Sequence, residues 1–273
     1  GELPDRTFGN INDMERLHNI CKRHNLLFIE DSCDTHGSLW DGKPTGLWSD
    51  ITTTSFYASH NMTTGGGGGM VMVNDPDLIR EAKQYRDWGR ALPENEDENI
   101  MQRFSYQLNG VSYDGKFYHT KIAYNFKPVE IQAAFGLVQL KKLPHFNSIR
   151  TRNIAALNKF FAQYPQHFIT PIELKKARIF WLAYPVTIRE ESPIARRKLL
   201  MYLEKNRIQT RLLFTGNILY HEPYLDIEKR VHGQLTGADY ILKNTFLLGC
   251  HHGMTEPMLN YMLSVIKRYI ESI

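Results

Sequence analysis

Over its first third the chain alternates helical and strand patterns, and that alternation restricts its fold more than any other feature. Residues 12–25, NDMERLHNICKRHN, place Met14, Leu17, Ile20 and Cys21 at helical spacing behind an Asn/Asp start. LLFIED (26–31) is a nearly unbroken apolar run closing on two acids, the pattern of a buried parallel strand with Asp31 at its carboxyl end. A Gly-rich connection, GSLWDGKPTGLWSD, leads to the β-branched run ITTTSFY, read as a second strand. The stretch SFYASHNMTTGGGGGMV then sets His60 just past that strand and five glycines before a third, GMVMVND. DPDLIREAKQYRDWG reads as a helix opened by Asp75 with Pro76 at its first position. The alternation predicts an α/β lobe on a mostly parallel sheet, with ligands outside the carboxyl ends of the strands, where Asp31 and His60 both fall.

Residues 91–120 are polar and irregular, with an acidic patch ENEDEN, and read as an active-site or interface loop. A helix follows from Val129 through IQAAFGLVQLKKL, and a second after Pro144, from Phe146 to Phe161. FWLAYPVTI, SPIARRKLLMYLEKNRI, TRLLF and TEPMLNYMLSVIKRYIESI then read strand, helix, strand, helix, a smaller α+β domain. The expected division is a large domain over 1–145 and a small one over 146–273. The first lobe opens one helix before its first clear strand, and a sheet of ordinary width would need more strands than residues 1–90 provide, so an amino-terminal portion beyond this sequence is the expectation.

Composition excludes several classes. The 273 residues are 42% hydrophobic and 23% charged, with no apolar run near the ~20 residues that cross a bilayer. The start, GELPDRTFGN, lacks the features of a secretory signal, so a cytoplasmic location is the expectation. The net charge of +4 is spread along the chain, which suits an anionic small substrate better than nucleic acid. Cys21, Cys33 and Cys250 stand far apart without CxxC spacing, so reduced thiols are expected. His251 and His252 lack companion ligands, so no metal site is expected.

Singly, the site motifs are ambiguous. A Gly-rich loop after a strand can close backbone N–H groups around an anion, yet GGGGGMV lacks both the Lys-Ser/Thr of a Walker loop and GxGxxG spacing, and a flexible turn is equally open. His60 reads as a hydrogen-bonded structural residue or a proton carrier, and Asp31 as a cap or a functional carboxylate.

The ordered set IEDSCDTHGS, GLWSDITTTSFYASHNMTTGGGGGMVMVND and AYNFKPVEIQAAFGLVQLKKL resembles the DegT/DnrJ/EryC1/StrS sugar aminotransferases, vitamin B6 enzymes of the aspartate-aminotransferase fold acting on nucleotide-linked keto-sugars. The resemblance spans essentially the whole chain. It implies that Asp31 faces the pyridine nitrogen and keeps the ring an electron sink, with Asp34 near the ring where the family usually has glutamine. It further implies that Ser55 hydrogen-bonds the cofactor phosphate and that Asn125 reaches that phosphate from the neighbouring subunit of a homodimer.

Position 60 departs from the family, whose lysine there forms a Schiff base with the cofactor. Histidine cannot, and no lysine occurs between Lys43 and Lys83. Histidine at this place is similar to the sugar 3-dehydrase subgroup, as are YRDWGR and TRLLFTGN. The implied activity is 3-dehydration of a nucleotide-linked 4-keto-6-deoxyhexose in deoxysugar and lipopolysaccharide biosynthesis. It would use pyridoxamine 5′-phosphate (PMP), interconverting with pyridoxal 5′-phosphate (PLP), and an amino donor such as glutamate. His60 would be the base, since a neutral imidazole suits proton removal near neutral pH. One branch of the subgroup carries an iron–sulfur cluster. Its cysteine spacing, started at Cys33, lands on Ala91, Pro93 and Met101, so no cluster is expected. Arg211 and Asn217 in TRLLFTGN, and Arg90, are candidate substrate contacts, a guanidinium being suited to phosphate. The alternatives are a true sugar aminotransferase and a catalytically inert fragment of a dehydrase.

Overall fold

The computed structural model describes residues 7–91 and 100–273; ENEDEN falls outside them. The chain divides into two units, each with its own sheet. The first unit includes 15–31 and 46–140, the second 6–14, 32–45 and 141–273.

In the first unit, α1 (Met14–Arg23) turns Leu17, His18 and Cys21 to its covered side, with Cys21 buried. The strand expected at 26–31 is β1 (Ile29–Asp31) alone, because Leu26 and Leu27 are exposed before it. Asp50 fixes its entry: its carboxylate accepts from the Phe28 amide (2.8 Å), and the amides of Asp50 and Ile51 donate to the Phe28 carbonyl. β2 (Ile51–Ser55) runs parallel to β1, with Asp31 opposite Thr53. β3 (Gly69–Val73) pairs antiparallel with β2, Ser55 opposite Gly69. The mostly parallel expectation thus meets one parallel and one antiparallel ladder among the described residues. The return from β2 to β3 carries no helix, and without a crossover the chain comes back antiparallel.

Asp75 caps α2 (Pro76–Arg86) by accepting from the amides of Asp77 and Leu78. The irregular loop expected at 91–120 holds, among its described residues, a helical turn at Ile100–Arg103 and a hairpin of β4 (Tyr106–Leu108) and β5 (Val111–Tyr113). Its turn is Asn109-Gly110, both at positive φ (55° and 81°), the dipeptide favoured in tight hairpins. Two helices were expected around Pro144, yet α3 (Glu130–Phe161) is continuous through it. Proline removes one N–H, the partner that the Leu140 carbonyl would have had, and the rest of the ladder is retained. Leu140 is also the last residue of the first unit.

The second unit is better enclosed. β6 (Phe168–Ile169), β7 (Ala183–Ile188), β8 (Thr210–Arg211) and β9 (Thr245–Gly249) form an antiparallel sheet in the order β8-β9-β7-β6. α4 (Arg196–Lys205), α5 (Thr236–Asn244) and α6 (Glu256–Ile270) complete the unit. β7 alternates buried and half-buried residues, whereas the first four residues of β9 are all buried. Tyr184, Val186, Phe246 and Leu248 from the sheet are fully covered, as are Leu199 and Leu203 of α4, Val265 and Ile266 of α6, and Leu157 and Phe161 of α3. Phe161 stacks on Tyr184 at 5.7 Å, and the Tyr184 hydroxyl donates to Asn158 Oδ1 at 2.7 Å. Three two-residue strands, at Leu39–Trp40, Lys43–Pro44 and Ala177–Arg178, make a small separate sheet.

Arg150, 2% exposed, donates from Nη1 to the carbonyls of Trp181 (2.9 Å) and Leu182 (3.0 Å). Its charge bears on the histidines after β9. Burial first, and the Arg150 guanidinium second, hold His251 and His252 below the ordinary value of 6.5. A base harder to protonate when folded binds protons preferentially in the unfolded chain. Its contribution is therefore complete above the unfolded value of 6.5 and is lost as pH falls below it. Urea midpoints should fall between pH 7.5 and pH 5.5, and the double variant His251→Gln/His252→Gln should flatten that slope; an equal slope in the variant would refute the assignment.

Candidate active site

In the first unit's sheet, the strand register sorts side chains to two faces, because partners in a ladder point the same way and neighbours along a strand alternate. One face carries Glu30 and Thr52, both buried. Ser49 donates to Glu30 Oε2 at 3.2 Å and lies 2.7 Å from the Thr52 hydroxyl. The other face carries Asp31, Thr53 and Ser55, all half-buried, with Gly69 beside Ser55. A carboxylate and two hydroxyls thus stand side by side at the carboxyl ends of β1 and β2.

Beyond Ser55 the chain makes a closed loop carrying His60. Its ends meet where the Phe56 amide donates to the Gly68 carbonyl (2.9 Å), and the Thr64 amide donates to the Phe56 carbonyl (3.3 Å). Phe56, Asn61 and Met62 are buried within it, while His60 is half-buried. The His60 amide donates to the Tyr57 carbonyl (3.0 Å), and the two rings meet edge to face at 6.4 Å.

The glycines have steric reasons. Gly68 sits at φ +103°, and a Cβ there would lie 2.6 Å from Thr64 Oγ1. A Cβ on Gly69 would lie 2.8 Å from the Thr54 carbonyl, so the place beside Ser55 stays bare. Thr64 holds the loop from inside, its hydroxyl donating to the Gly67 carbonyl.

Asn125 lies on an extended strap that pairs with the turn after α2, opposite Asp87, and is exposed. Arg90 belongs to the same turn; its guanidinium lies over Trp88 at 4.7 Å and toward Phe117 at 6.0 Å.

Three expected site residues lie in the second unit. Asp34 is buried and accepts from the Phe8 amide at 3.0 Å, supporting a turn. Arg211 ends β8, exposed, opposite Leu247. Asn217, expected to touch substrate, is only 4% exposed and is engaged at both ends of its amide: Nδ2 donates to Asp239 (2.7 Å) and Oδ1 accepts from Leu219 (3.1 Å). That bond, with a second from Tyr220, holds the Asp239 carboxyl below its ordinary value. Asn217 shapes its loop.

Thr53 was missed in the sequence although the period of two in ITTTS already places it with Ser55. Among the described residues, no group of three or more His, Cys, Asp or Glu could hold a metal ion, and no helix is long and apolar enough to cross a membrane.

The donor set fits a vitamin B6 phosphate. It offers an anion for a pyridinium, hydroxyls with bare backbone beside them for a phosphate, and a half-buried imidazole on the adjoining loop.

An α/β unit with this face, followed by an antiparallel α+β unit, has the architecture of the aminotransferase-fold proteins. The chain belongs to the DegT/DnrJ/EryC1/StrS aminotransferase family, which matches residues 3–267. It is 34% identical to the dTDP-4-dehydro-2,6-dideoxy-D-glucose 3-dehydratase of Saccharopolyspora spinosa, over 97% of this chain and 58% of that protein. It is 33% identical to the lipopolysaccharide biosynthesis protein RfbH of Salmonella typhimurium, over 96% and 61%. In structure it is similar to the GDP-4-keto-6-deoxy-D-mannose-3-dehydratase of E. coli with bound hydrated PLP, at a TM-score of 0.83 and 24% identity over 97% of this chain and 66% of that one, a likeness of fold. The chain spans about three fifths of the length of the two curated relatives.

Proposed function

We propose that the protein is a PMP-dependent 3-dehydratase of a nucleotide-linked 4-keto-6-deoxyhexose. The observation that carries the reading is the face bearing Asp31, Thr53 and Ser55 in register, followed by a histidine at position 60. Relatives named as sugar 3-dehydratases, at 34% and 27% identity, support it.

When bound, the cofactor supplies an amine to condense with the sugar ketone and a ring to hold an electron pair. Asp31 keeps the pyridine nitrogen protonated. Ser55, with Asn125 in a homodimer, binds phosphate oxygens. His60 would take the proton from C4′ next to the ring and pass it to the C3 hydroxyl, which would leave as water. Having no amine to offer, His60 leaves elimination as the outcome instead of nitrogen exchange. Arg211 and Arg90 are the cations for the sugar nucleotide. Hydrolysis would return the C4 ketone and release the nitrogen as ammonia, an amino acid such as glutamate would restore the amine form, and no iron–sulfur cluster takes part.

The test mixes the chain with PMP, glutamate and a panel of nucleotide-linked 4-keto-6-deoxy sugars, followed by mass spectrometry. The expected product has lost the C3 oxygen. A product that keeps that oxygen and gains nitrogen at C4 would make the protein an aminotransferase, and no turnover with any sugar would refute the dehydratase reading.

A further inference from the structure

The turn after α2 contains an acid that the proposed chemistry leaves without a task. Asp87 is 0% exposed. Its amide closes α2 by donating to the carbonyls of Lys83 (3.0 Å) and Gln84 (3.2 Å). Its carboxylate receives Arg86 through Nε (3.3 Å) and Nη2 (2.9 Å), and Lys127 Nζ lies at 3.6 Å. A buried carboxylate is tolerated when paired in this way, and removing it would leave the two cations facing one another.

The second cation comes from the strap that carries Asn125. Asp87 lies opposite Asn125 in an antiparallel bridge. Main-chain bonds flank it: Phe126 to the Arg86 carbonyl (3.0 Å), Trp88 to the Tyr124 carbonyl (2.8 Å), Tyr124 to the Tyr85 carbonyl (3.1 Å) and Thr120 to the Gly89 carbonyl (2.7 Å). Gly89, at φ +74°, presses so closely on the Lys121 carbonyl that no side chain fits. Residues two apart in extended chain project to the same side, so the hold of Asp87 on Lys127 also fixes the side to which Asn125 projects.

We propose that Asp87 is a positioning residue: its buried carboxylate, clamped between Arg86 and Lys127, sets the strap so that Asn125 presents its amide to the cofactor phosphate. This rests on the vitamin B6 reading above and assigns Asp87 a task in it.

The test compares the parent chain with Asp87→Asn, Asp87→Glu and Asn125→Ala. Amide exchange at Thr120, Lys121, Tyr124 and Phe126 should quicken about tenfold in Asp87→Asn, with the amides of β1 and β2 unchanged. Affinity should fall about tenfold for PMP but stay level for pyridoxamine, which lacks the phosphate. Asn125→Ala should show the same selective loss, the double variant should add nothing further, and Asp87→Glu should recover part of it. Equal losses for both ligands, or exchange quickened throughout the unit, would make Asp87 a general stabiliser and overturn the inference. Unchanged PMP affinity in Asp87→Asn would overturn it alone. A parent chain that binds neither ligand would overturn the vitamin B6 reading as well.

Discussion

Replacing His60 with asparagine should lower the rate of sugar dehydration by about 10²- to 10⁴-fold, the usual contribution of a positioned base. The loss should fall on turnover, because the groups assigned to cofactor binding are Asp31, Ser55 and Asn125. The loop should keep its shape, since it is closed by the main chain of Phe56 and Gly68 and filled by Asn61 and Met62. His60→Lys gives the sharper contrast. An amine at this position should allow PLP to be fixed covalently by borohydride, whereas the parent chain should release all of it on denaturation. Covalent capture in the parent chain would mean that some lysine reaches the ring, and the dehydratase reading would fail.

The second large effect concerns stability. Phe246 lies in the first four residues of β9, all of them buried, opposite Val186, and is 1% exposed. Phe246→Ala should cost about 3–5 kcal/mol, the transfer loss plus the cavity left behind. Met72 on β3 is 42% exposed, and Met72→Ala should cost under about 0.5 kcal/mol. Urea titration of both variants checks the pair. Equal losses would mean that the burial pattern does not describe the protein in solution.

The legible parts of the fold were those where local pattern and tertiary environment agree. Asp75-Pro76 announced α2, and the period of α1 was visible in Met14, Leu17 and Cys21. β9 escaped notice because TFLLG is a short apolar run without alternation, buried along most of its length, and such runs do not declare whether they are strand or helix. The β4–β5 hairpin was readable from Asn109-Gly110 between the alternating runs YQL and VSY, but each run is only three residues long and gives little periodicity. Pro144 misled, since a helix can lose one hydrogen bond and continue.

At the site, the order of motifs singles out Asp31 and Ser55, which the register sets on one face, and His60 on the adjoining loop. The clamp on Asp87 was hidden because Lys127 is forty positions away along the chain and nothing local marks the pair. Asn217 shows the converse limit. A motif gives a residue type and a place, but the direction of its amide is decided by Asp239, which only the folded chain brings alongside.

β3 carries a cost of its own. Among the described residues, Gly69–Val73 is an outer strand, uncharged, free of proline and largely exposed, with Met70, Val71 and Met72 open to solvent. Strands of this composition can add to one another between molecules and seed ordered aggregates. A lysine introduced at Met70, opposite Thr54 on the face away from Asp31, Thr53 and Ser55, would act as a gatekeeper, letting concentrated preparations stay clear without disturbing the pairing with β2.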